Sequence, residues 1–164
     1  KRIAAQKGNI FSLTQISNLE STRCLECNFI CNKCVDVCPN RANILITIDG
    51  DYFKDVNQIL HIDWMCNECG NCETFCPHAG SPYKDKITLF RNEYEFYHSQ
   101  KDGFYILKRN GEIELVSRID SKIEKMKFYN NGERLDYDKD KDEERIRFTK
   151  LAGKILSDYH YLLS

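Results

Sequence analysis

Cys66–Pro77 reads CNECGNCETFCP: four cysteines spaced C-x2-C-x2-C-x3-C, with proline directly after the last. Upstream, Arg23–Asn43 reads RCLECNFICNKCVDVCPNRAN. Its last three cysteines, Cys31, Cys34 and Cys38, keep the same x2 and x3 spacings, and Pro39 follows. All nine cysteines of the 164-residue chain lie in these two runs.

The intact run has the ligand spacing of a bacterial-type [4Fe-4S] ferredoxin, and two such runs imply two clusters. A cube needs four thiolates set wider than the ligands of one ion, so a loop with three closely spaced cysteines takes its fourth from elsewhere. In two-cluster ferredoxins the cysteine before proline ligates the other cluster. Applied here, Cys66, Cys69 and Cys72 join Cys38 on one cube, and Cys76 closes the other with three cysteines of the first run. Pro39 and Pro77 suit this crossing, because proline cannot continue a helix past the distant ligand. Gly70 lets the backbone come close to sulfur, and Asn32 stands at the matching position of the first run.

The first run holds one cysteine too many. Counting back from Cys34 puts the first ligand on Asn28, which offers no thiolate. Cys27 is displaced by one residue and Cys24 by four. Cys27 is favoured because the shorter bulge orders fewer residues, with Cys24 as the alternative. The spare is then a small buried apolar residue or a ligand of a neighbouring site.

Competing readings are weaker. Zinc sites pair C-x2-C knuckles around one ion and have no reason to repeat the x2-x3-Pro pattern. Disulfides suit a small exported protein, whereas the cysteine count is odd and no export signal stands in the sequence. A structural role for the clusters is the stronger competitor, since metal binding also supplies folding free energy.

Hydrophobic residues make up 41% and charged residues 30%, with a net charge of -1. Such a balance, with acids and bases interspersed, gives no hint of a basic nucleic-acid groove or a polybasic membrane patch. No apolar stretch approaches the ~20 residues of a bilayer span. The expectation is a cytoplasmic protein, and the non-methionine start, Lys1-Arg2, reads as an excerpt of something longer.

An α+β fold is expected: a two-[4Fe-4S] ferredoxin-like domain over 23–90, after a lead-in over 1–22 and before a β-meander with a C-terminal helix over 91–164. Thr14–Arg23 suggests a short helix capped by Ser17 or Asn18. Ile44–Ile48 and Ile59–Ile62 are β-branched and predict paired strands, and Lys86–Phe90 a third. Cysteine loop, short helix and strand thus occur twice. Beyond Phe90 the pattern turns to hairpins. Asn110-Gly111, between Phe104–Arg109 and Glu112–Ser117, supplies the positive φ angles of a type I′ turn. Asn131-Gly132 repeats that signal more weakly between Met126–Tyr129 and Arg134-Leu135. Phe148, Leu151, Ala152, Ile155, Leu156 and Tyr159 recur at helical spacing, with Asp142 a candidate cap. The meander would be a satellite of the ferredoxin part.

Other residues carry less. Trp64, Phe75, Tyr52 and Phe29 stand beside the ligands and suggest exclusion of water. His61, His78, His98 and His160 form no ligand spacing set. Lys33 and Arg41 are candidate tuning charges. No catalytic residue emerges, and G-x-G-x-x-G, the dinucleotide fingerprint, is absent.

The stretches RCLECNFICNKCVDVCPNRAN and HIDWMCNECGNCETFCPHAGSPYKDKITLF resemble the C-terminal iron–sulfur part of the YgfK family, which is named as a selenate reductase subunit. That family is similar to the small subunit of glutamate synthase, an iron–sulfur flavoprotein type. The resemblance covers about Arg23 to Phe90, and the family's own first run also holds five cysteines. It implies an electron relay between a flavin or NAD(P)H-linked partner and another oxidoreductase, such as a molybdenum hydroxylase. FAD and NAD(P) would then bind on another segment or another chain.

Overall fold

The computed structural model describes residues 31–48, 57–109, 112–119, 121–128 and 143–163. Their centre is a six-stranded sheet in sequence order. The first pair is antiparallel, β1 (Asn43–Thr47) on β2 (Asn57–Ile62), with Ile44 opposite Leu60 and Asn43 opposite His61. Next come β3 (Ile87–Leu89) and β4 (Gly103–Arg109), both parallel to the strand before. Two antiparallel steps add β5 (Glu112–Ile119) and β6 (Lys122–Phe128).

Short helices fill the connections. α1 (Lys33–Asp36) and α2 (Asn71–Thr74) follow the two cysteine loops and pack on each other. After α2 comes α3 (Pro82–Asp85), begun by proline at its first position, where a missing N–H costs nothing. α4 (Glu93–His98) bridges β3 and β4. It starts with a reciprocal cap, in which Glu95 N–H donates to Asn92 Oδ1 at 3.0 Å and Arg91 N–H to Glu95 Oε2 at 3.1 Å. The longest helix is α5 (Glu143–Asp158).

Alternation along the strands builds a core on each face of the sheet. One face gathers Ile46, Leu60, Ile87, Leu89, Phe104, Leu115 and Met126 under Phe148, Leu151, Ala152, Ile155 and Leu156 of α5. On the other, Tyr105 and Val116 meet Phe90 and Phe96. Phe96 stands edge-on to Phe90 at 5.5 Å between ring centroids.

The expected satellite meander is continuous with the strands beside the cysteine runs. Gly103 makes the join: a Cβ there would lie 2.0 Å from the Thr88 carbonyl oxygen, so only glycine lets β4 approach β3 this closely. Two bonds hold the seam, from Thr88 N–H to Asp102 O at 3.0 Å and from Phe90 N–H to Phe104 O at 2.9 Å.

Sequence expectation and structure differ in particulars. β6 begins at Lys122, earlier than the 126–129 start, and pairs with β5. α4 stands where only hairpins were expected. The helix over Thr14–Arg23, the Asn110-Gly111 and Asn131-Gly132 turns, Arg134-Leu135 and the Asp142 cap lie outside the described residues. Among the described residues no helix is long and apolar enough to cross a membrane.

Candidate metal centre

Each cysteine run ends in the same backbone figure. Cys38 N–H donates to Val35 O at 3.4 Å, and Cys76 N–H to Glu73 O at 3.2 Å. Three residues on, Arg41 and Ala79 both turn left-handed, at φ 53° and 55°, and each returns an N–H to its cysteine carbonyl at 3.2 Å. A further residue along, Ala42 N–H donates to Cys38 Sγ at 3.2 Å and Gly80 N–H to Cys76 Sγ at 3.3 Å. The proline after each cysteine ends the helix and forces this turn.

The runs differ at their front ends. Gly70 is left-handed at φ 77°, but Asn32 is not, at φ -103°. Glu68 is left-handed too, and its N–H donates to Cys66 Sγ at 3.3 Å.

Cys38, Cys66, Cys69 and Cys72 line one cavity together with Asn43, Gly70 and Tyr83. Thus the cysteine before Pro39 shares a site with three cysteines of the other run. Cys34 and Cys72 are buried, Cys31, Cys38, Cys66 and Cys76 half-buried, and Cys69 exposed. Cys24 and Cys27 lie outside the described residues. A larger groove, lined by Trp64, Phe90, Arg91, Ile106, Lys108, Leu162 and Leu163, holds no cysteine.

Burial pushes the Cys66 thiol up, against the Glu68 N–H bond and the Lys101 charge that favour the thiolate. Burial also raises the Cys72 thiol, opposed by hydrogen bonds from the Tyr83 backbone and the Asn43 side chain. Iron would reverse this balance, since a coordinating thiol is deprotonated outright. The donor set fits a cube: four thiols share one cavity, with N–H groups already directed at sulfur. Among the described residues no group of three or more His, Cys, Asp or Glu converges as the ligands of one metal ion.

Several residues at this site carry no local signal in the sequence. Asn43 donates to Cys34 O of the first run and lines the cavity of the second. Lys101 Nζ reaches Asp63 Oδ1 at 2.9 Å and Glu68 Oε1 at 3.7 Å, which brings a cation to the Cys66 loop from 38 residues away along the chain. Arg118 steadies the Lys101 loop by donating to Phe96 O and Ser99 O, both at 2.7 Å, and to Lys101 O at 3.2 Å. Phe75, expected to exclude water, is 57% exposed.

Residues 16–77 match the family model of the 4Fe-4S dicluster domain. Two curated relatives, both named "Putative oxidoreductase YgfK", come from Escherichia coli strains. The K12 protein is 51% identical over 108 residues, 63% of this chain and 10% of the relative. The O157:H7 protein is 56% identical over 87 residues, 53% of this chain and 8% of the relative. The chain is similar to part of the YgfK oxidoreductases and carries a stretch that matches the dicluster model. It spans about a tenth of the length of those relatives. No solved structure matches it. The dicluster domain and the oxidoreductase relatives support iron–sulfur electron transfer as its chemistry.

Proposed function

We propose that the chain relays electrons through two [4Fe-4S] clusters, between a flavin or NAD(P)H-linked partner and a second oxidoreductase. The observation that carries this reading is the shared cavity of Cys38, Cys66, Cys69 and Cys72. Those four thiolates hold one cube. Cys31, Cys34 and Cys76, with Cys27 or alternatively Cys24, hold the other. When bound, each cube supplies a one-electron redox centre whose potential follows burial, charge and hydrogen bonds to sulfur.

The chain's own groups do the tuning. Backbone N–H groups of Ala42, Glu68 and Gly80 donate to three of the ligand sulfurs and stabilise added negative charge. Lys101 places a cation beside the Cys66 loop. The meander and α5 serve as a docking extension for the rest of the assembly. Flavin and nicotinamide bind on another segment or chain, and a molybdenum-containing oxidoreductase fits the role of second partner.

Anaerobic reconstitution followed by an EPR-monitored reductive titration tests this. Iron should reach about eight per chain, with both clusters reducible by a physiological donor. Colourless, zinc-loaded protein would refute it, and clusters that no such donor reduces would leave only a structural role.

A further inference from the structure

Asn43 and His61 face each other across β1 and β2, and both are buried, at 1% and 0% exposure. His61 Nδ1 lies 2.8 Å from Asn43 Oδ1. The Asn43 amide nitrogen donates to Cys34 O, in α1, at 3.1 Å, and the same residue lines the cavity of Cys38, Cys66, Cys69 and Cys72. One amide therefore joins a strand to the first cysteine run at the wall of the cavity that the second run lines.

The bonding fixes the imidazole as well. Cys34 O can only accept, so the amide nitrogen must face it and Oδ1 must be the atom that faces His61, where an oxygen accepts only from N–H. His61 therefore carries its proton on Nδ1. Its Nε2, buried with no hydrogen-bond partner, is left as a bare lone pair and not as a stranded donor. A flipped amide would set Oδ1 against Cys34 O and force the proton onto the buried, unpartnered Nε2, so Cys34 O and His61 together hold the orientation that turns N–H away from β2.

We infer that Asn43 is a donor that sets the reduction potential of the cluster at Cys38, Cys66, Cys69 and Cys72, and that His61 is the positioning residue that aims it. This rests on the two-cluster reading above. An N–H bond to a ligand sulfur stabilises the reduced, more negative state. Its loss moves that cluster, and not its neighbour, to a lower potential. A hydrogen bond to a charged group is strong enough to change the reduced-to-oxidised ratio about tenfold, which is about 59 mV for one electron.

The test is an EPR-monitored potential titration of the whole chain, reconstituted anaerobically with iron and sulfide, in wild type and variants. Asn43→Leu should lower the potential of one cluster with iron content unchanged. His61→Leu should lower the same cluster by a similar amount. His61→Asn should restore most of the shift, because its Nδ2 occupies the place of imidazole Nδ1. Combining Asn43→Leu with His61→Leu should add nothing to Asn43→Leu alone. If Asn43→Leu fails to assemble, the comparison of His61→Leu with His61→Asn decides. Unchanged potentials at full iron content, equal shifts in both clusters, additive shifts, or no rescue by His61→Asn would each overturn the inference. A wild-type chain that takes up no cubes would instead overturn the reading beneath it.

Discussion

Replacing Gly103 with alanine tests the seam between the cysteine-bearing strands and the meander. The added Cβ would sit 2.0 Å from Thr88 O, 2.8 Å from Thr88 C and 2.9 Å from Thr88 N. Backbone on both sides leaves no side chain to swing away, so β3 and β4 must separate by about 1.4 Å to bring the 2.0 Å approach to the 3.4 Å of ordinary contact. The seam rests on two register pairs, Thr88 with Gly103 and Leu89 with Phe104, and separation weakens the two hydrogen bonds that flank them. Overpacking costs about 1–3 kcal/mol, and each bond adds about 1 kcal/mol. A loss of about 3 kcal/mol would lower the melting temperature by roughly 6–12 °C for a chain of this size. The assay is anaerobic thermal unfolding followed by circular dichroism and by cluster absorbance, with Gly70→Ala as the control. Gly70 has a positive φ and nothing within 4 Å of an added Cβ, so that change should cost only about 1–2 kcal/mol. Where φ is ordinary and no clash exists, Gly→Ala stabilises by about 0.4–1 kcal/mol through the unfolded state. A Gly103→Ala chain as stable as wild type, or more so, would refute the close approach.

Cys38→Ala should remove the cluster bound by Cys66, Cys69 and Cys72, lowering iron from about eight to about four per chain. Of Cys24→Ala and Cys27→Ala, one should have the same effect on the other cluster while the spare leaves iron unchanged, as iron analysis and EPR will read. Lys101→Gln should shift the cluster beside Cys66 to a more negative potential by some tens of millivolts, since a cation that favours added electrons is lost. His61 gives the stability a pH dependence. Burial first and the Lys101 charge second lower its pKa from 6.5 to about 4, against Asp63. As pH falls below 6.5 the unfolded chain takes up a proton that the folded chain refuses, so stability is lost on acidification, by about 2 kcal/mol at pH 5 and about 3 at pH 4. Urea unfolding at pH 7 and pH 5 should show this slope in wild type and a flatter one in His61→Asn.

Local patterns carried the parts of the fold that local physics determines. β-branched runs gave β1, β2 and β3, Asn110-Gly111 marked the pairing of β4 with β5, and the spacing from Phe148 to Leu156 gave α5. α4 was legible but missed, since Asn92 and Glu95 stand at capping-box spacing before a helix of one and a half turns. The parallel seam of β3 and β4 has no local signature, because nothing in Gly103 names Thr88 as its neighbour. At the candidate site the cysteine spacing pointed to the grouping of Cys38 with Cys66, Cys69 and Cys72, whereas Asn43, His61 and Lys101 reach it through pairings distant in sequence. Lys33 and Arg41, the charges considered from sequence, stand close to candidate ligands along the chain, but it is Lys101 that pairs with the Cys66 loop.

The turns after Cys38 and Cys76 have one further consequence. Both sulfurs receive the same main-chain donor from the same left-handed bend, at distances that differ by 0.1 Å. Halves dressed alike at these two turns gain no energetic slope from them. Any downhill path must therefore be written elsewhere, in the front ends of the runs and in side chains found on one side only, and evolution could retune or reverse it there without touching the architecture.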